Sequence, residues 1–132
     1  MNIGEQIELK VAQLASEFGI DISFPHGELR YDQIWDIKGK LYKIQIKNAE
    51  SIKNGCAIKF SNQSKKKYQP NEIDAIVTTY NNKLYYIPYK EITCEDKTLW
   101  FSLPKESVMN AHQVNWADDY ELTIEKLKII FK

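Results

Sequence analysis

Arg30-Tyr31-Asp32-Gln33-Ile34-Trp35-Asp36-Ile37-Lys38-Gly39-Lys40-Leu41-Tyr42-Lys43-Ile44-Gln45-Ile46-Lys47 holds two strand-like runs on either side of Lys38-Gly39. Glycine tolerates φ > 0, so a two-residue turn there predicts a β-hairpin in which Ile37 faces Lys40. Counting outward in that register, Asp32 faces Gln45 and Arg30 faces Lys47. Opposed Cβ atoms lie about 4.5–5.5 Å apart, and Lys47 projects from the same surface as Gln45 because side chains alternate with period two. An acid, an amide oxygen and an ammonium converge, which reads as a metal site on a hairpin.

The other face of the hairpin carries Tyr31, Trp35 and Ile37 with Tyr42, Ile44 and Ile46, an aromatic and β-branched surface suited to a core. On the polar face, Ile34 is opposite Lys43 and Asp36 opposite Leu41. Like charges directly opposed, as Arg30 and Lys47 would be, destabilise the pair unless a neighbouring carboxylate or an anion compensates. A phosphate would do so. Asp36 competes with Asp32 as the site's acid, but it sits beside the turn, where Asp commonly bonds locally, and about 13 Å along the strand from Gln45. Asp32 is therefore the expected ligand.

Upstream, Ile3, Ile7, Val11, Leu14 and Phe18 recur at helical spacing and Gly19 follows as a C-cap, which predicts an amphipathic first helix. Glu8 lies roughly 80° from the centre of its apolar stripe and Glu5 roughly 140°, so Glu8 can reach the edge of a sheet that the helix covers. Ile20 to Pro25 reads as a short strand. Downstream, residues 49–69 are a polar, lysine-rich connection expected to hold a loop or a short helix. Ile73 to Thr79 and Leu84 to Pro88 predict a second hairpin turning at Asn81-Asn82, because asparagine tolerates left-handed backbone. Thr98 to Leu103 reads as a strand, and Leu122 to Phe131 as an amphipathic segment for which a helix is one reading.

The 132 residues, 43% of them hydrophobic, suit a single α/β domain spanning 1–132. No apolar run is long enough to cross a bilayer and the start lacks a signal-peptide pattern, so a cytoplasmic protein away from membranes is expected. Cys56 and Cys94 have neither CxxC spacing nor histidine partners, and His26 and His112 lack obvious partners, which argues for reduced thiols and structural histidines. Tyr80, Tyr85, Tyr86 and Tyr89 are expected to pack the second hairpin, and Trp116 to serve core or subunit contact. Formal net charge is zero, yet residues 38–67 hold nine lysines against the single acid Glu50. Residues 91–132 hold eight acids against five lysines, so a polyanion would meet one preferred face.

The order of helix with Glu8, strand with Asp32, turn, and strand with Gln45-Ile46-Lys47 resembles the active-site layout of the PD-(D/E)XK nuclease superfamily. Gly4-Glu5-Gln6-Ile7-Glu8, Arg30-Tyr31-Asp32 and Gln45-Ile46-Lys47-Asn48-Ala49 are most similar to its intron-associated homing endonuclease branch, with a PD-(D/Q)xK motif. Further matches to that branch are Tyr68-Gln69-Pro70 with Ile73-Asp74, Tyr85-Tyr86-Ile87-Pro88, and Gln113 with Trp116-Ala117-Asp118-Asp119-Tyr120. Archaeal Holliday-junction resolvases are a more distant likeness.

The resemblance implies a restriction-endonuclease-like core, a central mixed β-sheet flanked by helices, and a metal-dependent DNA endonuclease. It implies Mg²⁺, with Mn²⁺ as the alternative ion, since hard oxygen donors suit both. Asp32 would be the principal ligand, the Gln45 carbonyl a neutral one where most relatives carry Asp or Glu, and Glu8 a direct or water-mediated partner. Lys47 would orient the attacking water or stabilise transition-state charge. Arg30, Lys43, Lys53, Lys59, Lys65, Lys66 and Lys67 would bind the backbone of double-stranded DNA, and a chain this small would act as a homo-oligomer, a dimer or tetramer. Competing readings are a catalytically inactive DNA-binding or assembly module of the same fold, a Holliday-junction resolvase-like nuclease, and a protein-interaction domain. At single residues, Glu8 competes with an ordinary helix-surface acid, and Gln45 and Lys47 with the wet face of an amphipathic strand.

Overall fold

The computed structural model describes residues 2–60, 68–92, 96–102 and 114–131. Lys65, Lys66, Lys67, Cys94, Leu103, His112 and Gln113 lie outside the described residues. The first helix, α1 (Ile3–Glu17), starts where the Asn2 side-chain oxygen accepts the Glu5 N–H at 2.8 Å, a cap for a donor the helix cannot satisfy itself. It ends as expected at Gly19, φ +83°, with Gly19 N–H donating to the Ser16 carbonyl and Ile20 N–H to the Ala15 carbonyl. Val11, Leu14 and Ala15 form its buried stripe, whereas Ile3 is 69% exposed, so the stripe does not extend to the first turn.

Strands β1 (Asp21–Ser23), β2 (Gln33–Ile37), β3 (Lys40–Ile46), β6 (Ala75–Tyr80) and β7 (Lys83–Pro88) form one mixed sheet in the order β1-β2-β3-β6-β7. Only β3 and β6 run parallel. The β2–β3 hairpin has the predicted register, Ile37 opposite Lys40 through Gln33 opposite Ile44. Its turn residues Lys38 and Gly39 both have positive φ, 56° and 83°, and Asp36 Oδ1 accepts the Gly39 N–H at 3.1 Å, the local role expected of that acid. Asn81 and Asn82 turn the second hairpin in the same left-handed region.

One face of this sheet packs on α1, where Trp35, Ile44, Ile46, Ala75, Val77, Leu84 and Tyr86 meet Val11, Leu14 and Ala15. The C-terminal helix α3 (Ile124–Ile130), capped by Thr123, brings Phe131 edge-on to Tyr42 and Tyr86, at 4.8 and 5.2 Å between ring centres. The other face is covered mainly by a second sheet, β4 (Ala49–Ile52), β5 (Gly55–Lys59) and β8 (Asp96–Trp100), in the order β4-β5-β8. Residues 49–59 are therefore a hairpin, not the expected loop or short helix. Cys56, Ile58, Phe60 and Leu99 pack there against Ile73, Ile76, Tyr85 and Ile87. The last strand covers Asp96–Trp100, earlier than the expected Thr98 to Leu103.

A short helix, α2 (Ala117–Tyr120), is tied to the second sheet by the Tyr120 hydroxyl, which donates to Glu91 and accepts from Lys97 Nζ at 3.1 Å. Tyr31 packs in this second cluster instead of with Trp35 on the α1 face, because the strand alternation breaks at the site described next. Tyr80, Tyr85 and Tyr89 pack with the same cluster and Tyr86 with the first, as the second hairpin was expected to use them. Among the described residues no helix is long and apolar enough to cross a membrane.

Candidate active site

A slip in the β2–β3 ladder places Asp32. Regular pairing ends at Gln33 opposite Ile44, and the Asp32 N–H then donates to the Ile44 carbonyl at 2.8 Å, one residue out of step. The Ile46 N–H donates to Asp32 Oδ2 at 2.8 Å, so this carboxylate stands in for a backbone acceptor. The expected face-to-face pairing of Asp32 with Gln45 is thus replaced by a clamp on the neighbouring peptide. The same slip turns Tyr31 to the second cluster.

Glu8 reaches Asp32 from the half-buried flank of α1 while Glu5 stays exposed, as the helical angles predicted. Its position is set through the backbone: Gln33 Nε2 donates to the Glu8 carbonyl at 2.7 Å, and Gln33 Oε1 accepts the Trp35 indole N–H at 3.0 Å. Gln33 and Trp35 have no exposed surface. Gln33 is the site residue that the sequence reading missed. The signal was present, since strand alternation puts this one amide on the apolar face beside Trp35, and a buried amide needs partners.

Lys47 follows the last residue of β3, its N–H donating to the Val77 carbonyl of β6 at 3.1 Å. It is half-buried and lines a cleft of about 230 Å³ together with Asn48, Glu50, Ala57 and Lys59, between the end of β3 and the β4–β5 hairpin. Glu8, Asp32 and Lys47 are electrostatically one group. Burial raises the Glu8 carboxyl above its ordinary range, and the Asp32 charge and the hydrogen bond between the two acids raise it further. Asp32 is also raised by burial, against the opposing pull of the Ile46 N–H, the Lys47 ammonium and the Glu8 hydrogen bond. Burial lowers Lys47, Asp32 opposes this, and the Arg30 guanidinium adds to the lowering. Two carboxyls meeting beside one ammonium are hard oxygen donors of the kind that would suit a divalent cation.

Gln45 alternates to the face opposite Ile44 and Ile46, next to Ile76 of the second cluster, and its amide nitrogen turns toward the Ile46 carbonyl at 3.5 Å. Glu8 and Asp32 thus share a hydrogen bond, Lys47 acts on Asp32 through its charge, and Gln45 engages its own strand. Among the described residues no group of three or more His, Cys, Asp or Glu side chains gathers to hold a metal. Any ion here would complete its shell with waters and phosphate oxygens, as Mg²⁺ commonly does.

The expected DNA-contacting cations divide. Arg30 pairs with Glu72 at 3.4 Å, so a carboxylate supplies the compensation that its proximity to Lys47 requires. Lys43 Nζ donates to the Asn71 carbonyl. Lys53 is exposed in the turn of the β4–β5 hairpin, and Lys59 is exposed at the far end of β5, where it lines the cleft.

A family model described as PD-(D/E)XK endonuclease matches residues 1–123. The chain belongs to the PD-(D/E)XK endonuclease family. Nucleases of this family use divalent metal ions, in accord with the paired acids of the site. The fold is similar to that of the bacterial homing endonuclease I-Ssp6803I, with a TM-score of 0.69 at 18% identity over 96% of this chain and 88% of that one. No curated protein sequence matches the chain. In the mixed sheet Asp32 immediately precedes β2 and Lys47 immediately follows β3, and the Ile46 N–H that Asp32 Oδ2 accepts belongs to the residue before Lys47.

Proposed function

We propose that this PD-(D/E)XK protein is a metal-dependent DNA endonuclease that hydrolyses phosphodiester bonds with Glu8, Asp32 and Lys47, and with Gln45 as a neutral oxygen donor. The observation that carries this reading is the geometry at the end of β3, where Asp32 is clamped by the Ile46 N–H at 2.8 Å beside Glu8 of α1 and the half-buried Lys47. Asp32 and Glu8 would hold Mg²⁺ or Mn²⁺; the ion, when bound, polarises the phosphate and makes water a better nucleophile. Asp32 is pre-oriented by the Ile46 N–H, so it need not reorganise. Lys47 stands where it can stabilise negative charge growing on the phosphate, and its partial burial strengthens that effect. Lys59 beside the cleft and Lys53 at the hairpin turn hold the DNA backbone, which sets affinity without reading sequence. A homo-oligomer, dimer or tetramer, would let such a small chain span a duplex site.

The test is incubation with supercoiled plasmid in Mg²⁺, Mn²⁺ or EDTA. Nicked or linear product in either metal and none in EDTA is the expected result. DNA that is retarded in a gel yet uncut in both metals would leave an inactive binding module. Preference for a four-way junction over linear duplex in competition would identify a resolvase.

The raised acids also fix a pH dependence. An acid whose pKa is higher folded than unfolded favours folding while protonated, and that contribution is lost as pH rises through the folded value. The metal-free protein therefore loses stability as pH climbs out of the acid range and Glu8 and Asp32 ionise. Mg²⁺ needs both groups ionised, so about 10 mM Mg²⁺ is expected to raise the melting temperature by roughly 5 °C near pH 7.5 and by under about 1 °C near pH 5. Asp32→Asn should remove the difference, and an equal shift at both pH values would contradict the assignment.

A further inference from the structure

Arg30 is held differently from the surface lysines. Its guanidinium lies 4.2 Å from the centre of the Tyr68 ring, and Nη1 is 3.4 Å from Glu72 Oε2, with the side chain 29% exposed. Both partners are themselves fixed. The Tyr89 hydroxyl donates to the Tyr68 carbonyl at 3.0 Å, and Glu72 Oε1 accepts the Gln69 N–H at 2.7 Å. The turn that carries Glu72 is docked on β3, where Asp74 N–H donates to the Lys43 carbonyl and Asp74 Oδ2 accepts the Lys43 N–H. A long, flexible side chain is thereby oriented from two sides, two residues from Asp32 in the chain.

From this geometry we infer that Arg30 is a second phosphate-engaging cation of the active site, with Tyr68 and Glu72 as its positioning residues. The inference rests on the nuclease reading above and deepens it. A planar guanidinium can meet two phosphate oxygens at once, which an ammonium cannot. Its pairing with Glu72 decides when it contributes most. Against a ground-state phosphodiester carrying one negative charge, engaging the substrate costs the Glu72 contact and gains little affinity. As charge builds on the phosphate during attack, the balance moves toward the substrate, so Arg30 acts on rate more than on binding. Arg30 and Lys47 then flank one phosphate from neighbouring positions, and their mutual repulsion is relieved by that anion.

The experiment compares Arg30→Ala, Arg30→Lys and Lys47→Ala by single-turnover cleavage at saturating protein, by DNA affinity in EDTA, and by melting temperature. Arg30→Ala is expected to cut on the order of 10²-fold more slowly while DNA affinity changes by less than about threefold. Arg30→Lys should recover less than about a tenth of the rate, since it restores charge without the planar fork. Guanidinium ion at about 10 mM should restore Arg30→Ala severalfold where equal ammonium does not, a response that a purely structural role would not give. Should Arg30→Ala fail to fold, Arg30→Lys carries the same rate-against-affinity comparison. The inference is overturned if Arg30 variants cut at the parental rate while Lys47→Ala does not, or if the whole rate loss appears as lost affinity. If Lys47→Ala also cuts at the parental rate, it is the nuclease site itself that is wrong.

Discussion

Lys47→Ala and Asp32→Asn are each expected to lower single-turnover DNA cleavage by on the order of 10³-fold or more, the scale of losing a preorganised charge in the transition state, while DNA affinity in EDTA stays within about threefold. The two substitutions act on different parts of one group. Asp32→Asn is nearly isosteric and keeps an oxygen that can accept the Ile46 N–H, so the clamp on β3 survives while the anionic donor is lost. Lys47→Ala removes a half-buried ammonium whose charge opposes burial and the Arg30 guanidinium, so the fold should not suffer. Melting temperatures near the parental value would confirm that. Undiminished turnover in both variants would refute the site outright.

Gln33→Leu is expected to destabilise the protein by about 1–3 kcal/mol, because it strands the buried Trp35 indole N–H; the Glu8 carbonyl loses only its second hydrogen bond and keeps its partner within α1. The size of the side chain is nearly kept, so the loss is not a cavity effect. Urea unfolding would measure it, and Trp35→Phe offers an internal control. With the indole N–H gone, part of the penalty of Gln33→Leu should vanish, leaving the double variant less impaired than the sum of the single ones. A loss under about 1 kcal/mol would show that the Gln33 relay is not needed. Glu8 is anchored through the same amide, so cleavage by the folded fraction should fall too.

Much of this architecture was legible in the chain because its signals are local. Two residues with positive φ at Lys38-Gly39 and at Asn81-Asn82 turn the two hairpins of the mixed sheet, and period-two alternation marks the face of β3 with Ile44 and Ile46 as buried. The first helix and its glycine stop were equally readable, and the angle of Glu8 on it was enough to bring that acid to the sheet edge. What was not legible depends on distant partners. The β4–β5 hairpin has weak alternation, with Glu50, Ser51 and Ile52 all exposed, and gains its stability from pairing with β8 some forty residues on. Gly55 belongs to that pairing: a Cβ there would stand 2.5 Å from the Leu99 carbonyl oxygen, a constraint that the Asn54-Gly55 dipeptide alone does not reveal.

The site itself divides the same way. Register arithmetic placed Asp32 and Lys47 at the same end of the β2–β3 hairpin, where the structure has them, but it assumed an unbroken ladder. One slipped hydrogen bond moved Asp32 onto the Ile46 peptide and Tyr31 to the other core, and nothing in the pattern of residue types announces such a slip. The partner of Arg30, Glu72, is likewise found only by folding the chain.

The parallel alignment of β3 with β6 has a consequence for how such a protein can diversify. Strands that run side by side in one direction oblige the chain to leave and return, and here the departure begins at Lys47, the proposed catalytic lysine, and first builds the lysine-bearing ribbon of residues 49–59. On the proposed reading, cutting machinery and substrate grip are thus strung on one detour with a shared starting point. Lengthening, shortening or exchanging that ribbon would retune which DNA is held, while the strand ends that position the chemistry keep their places.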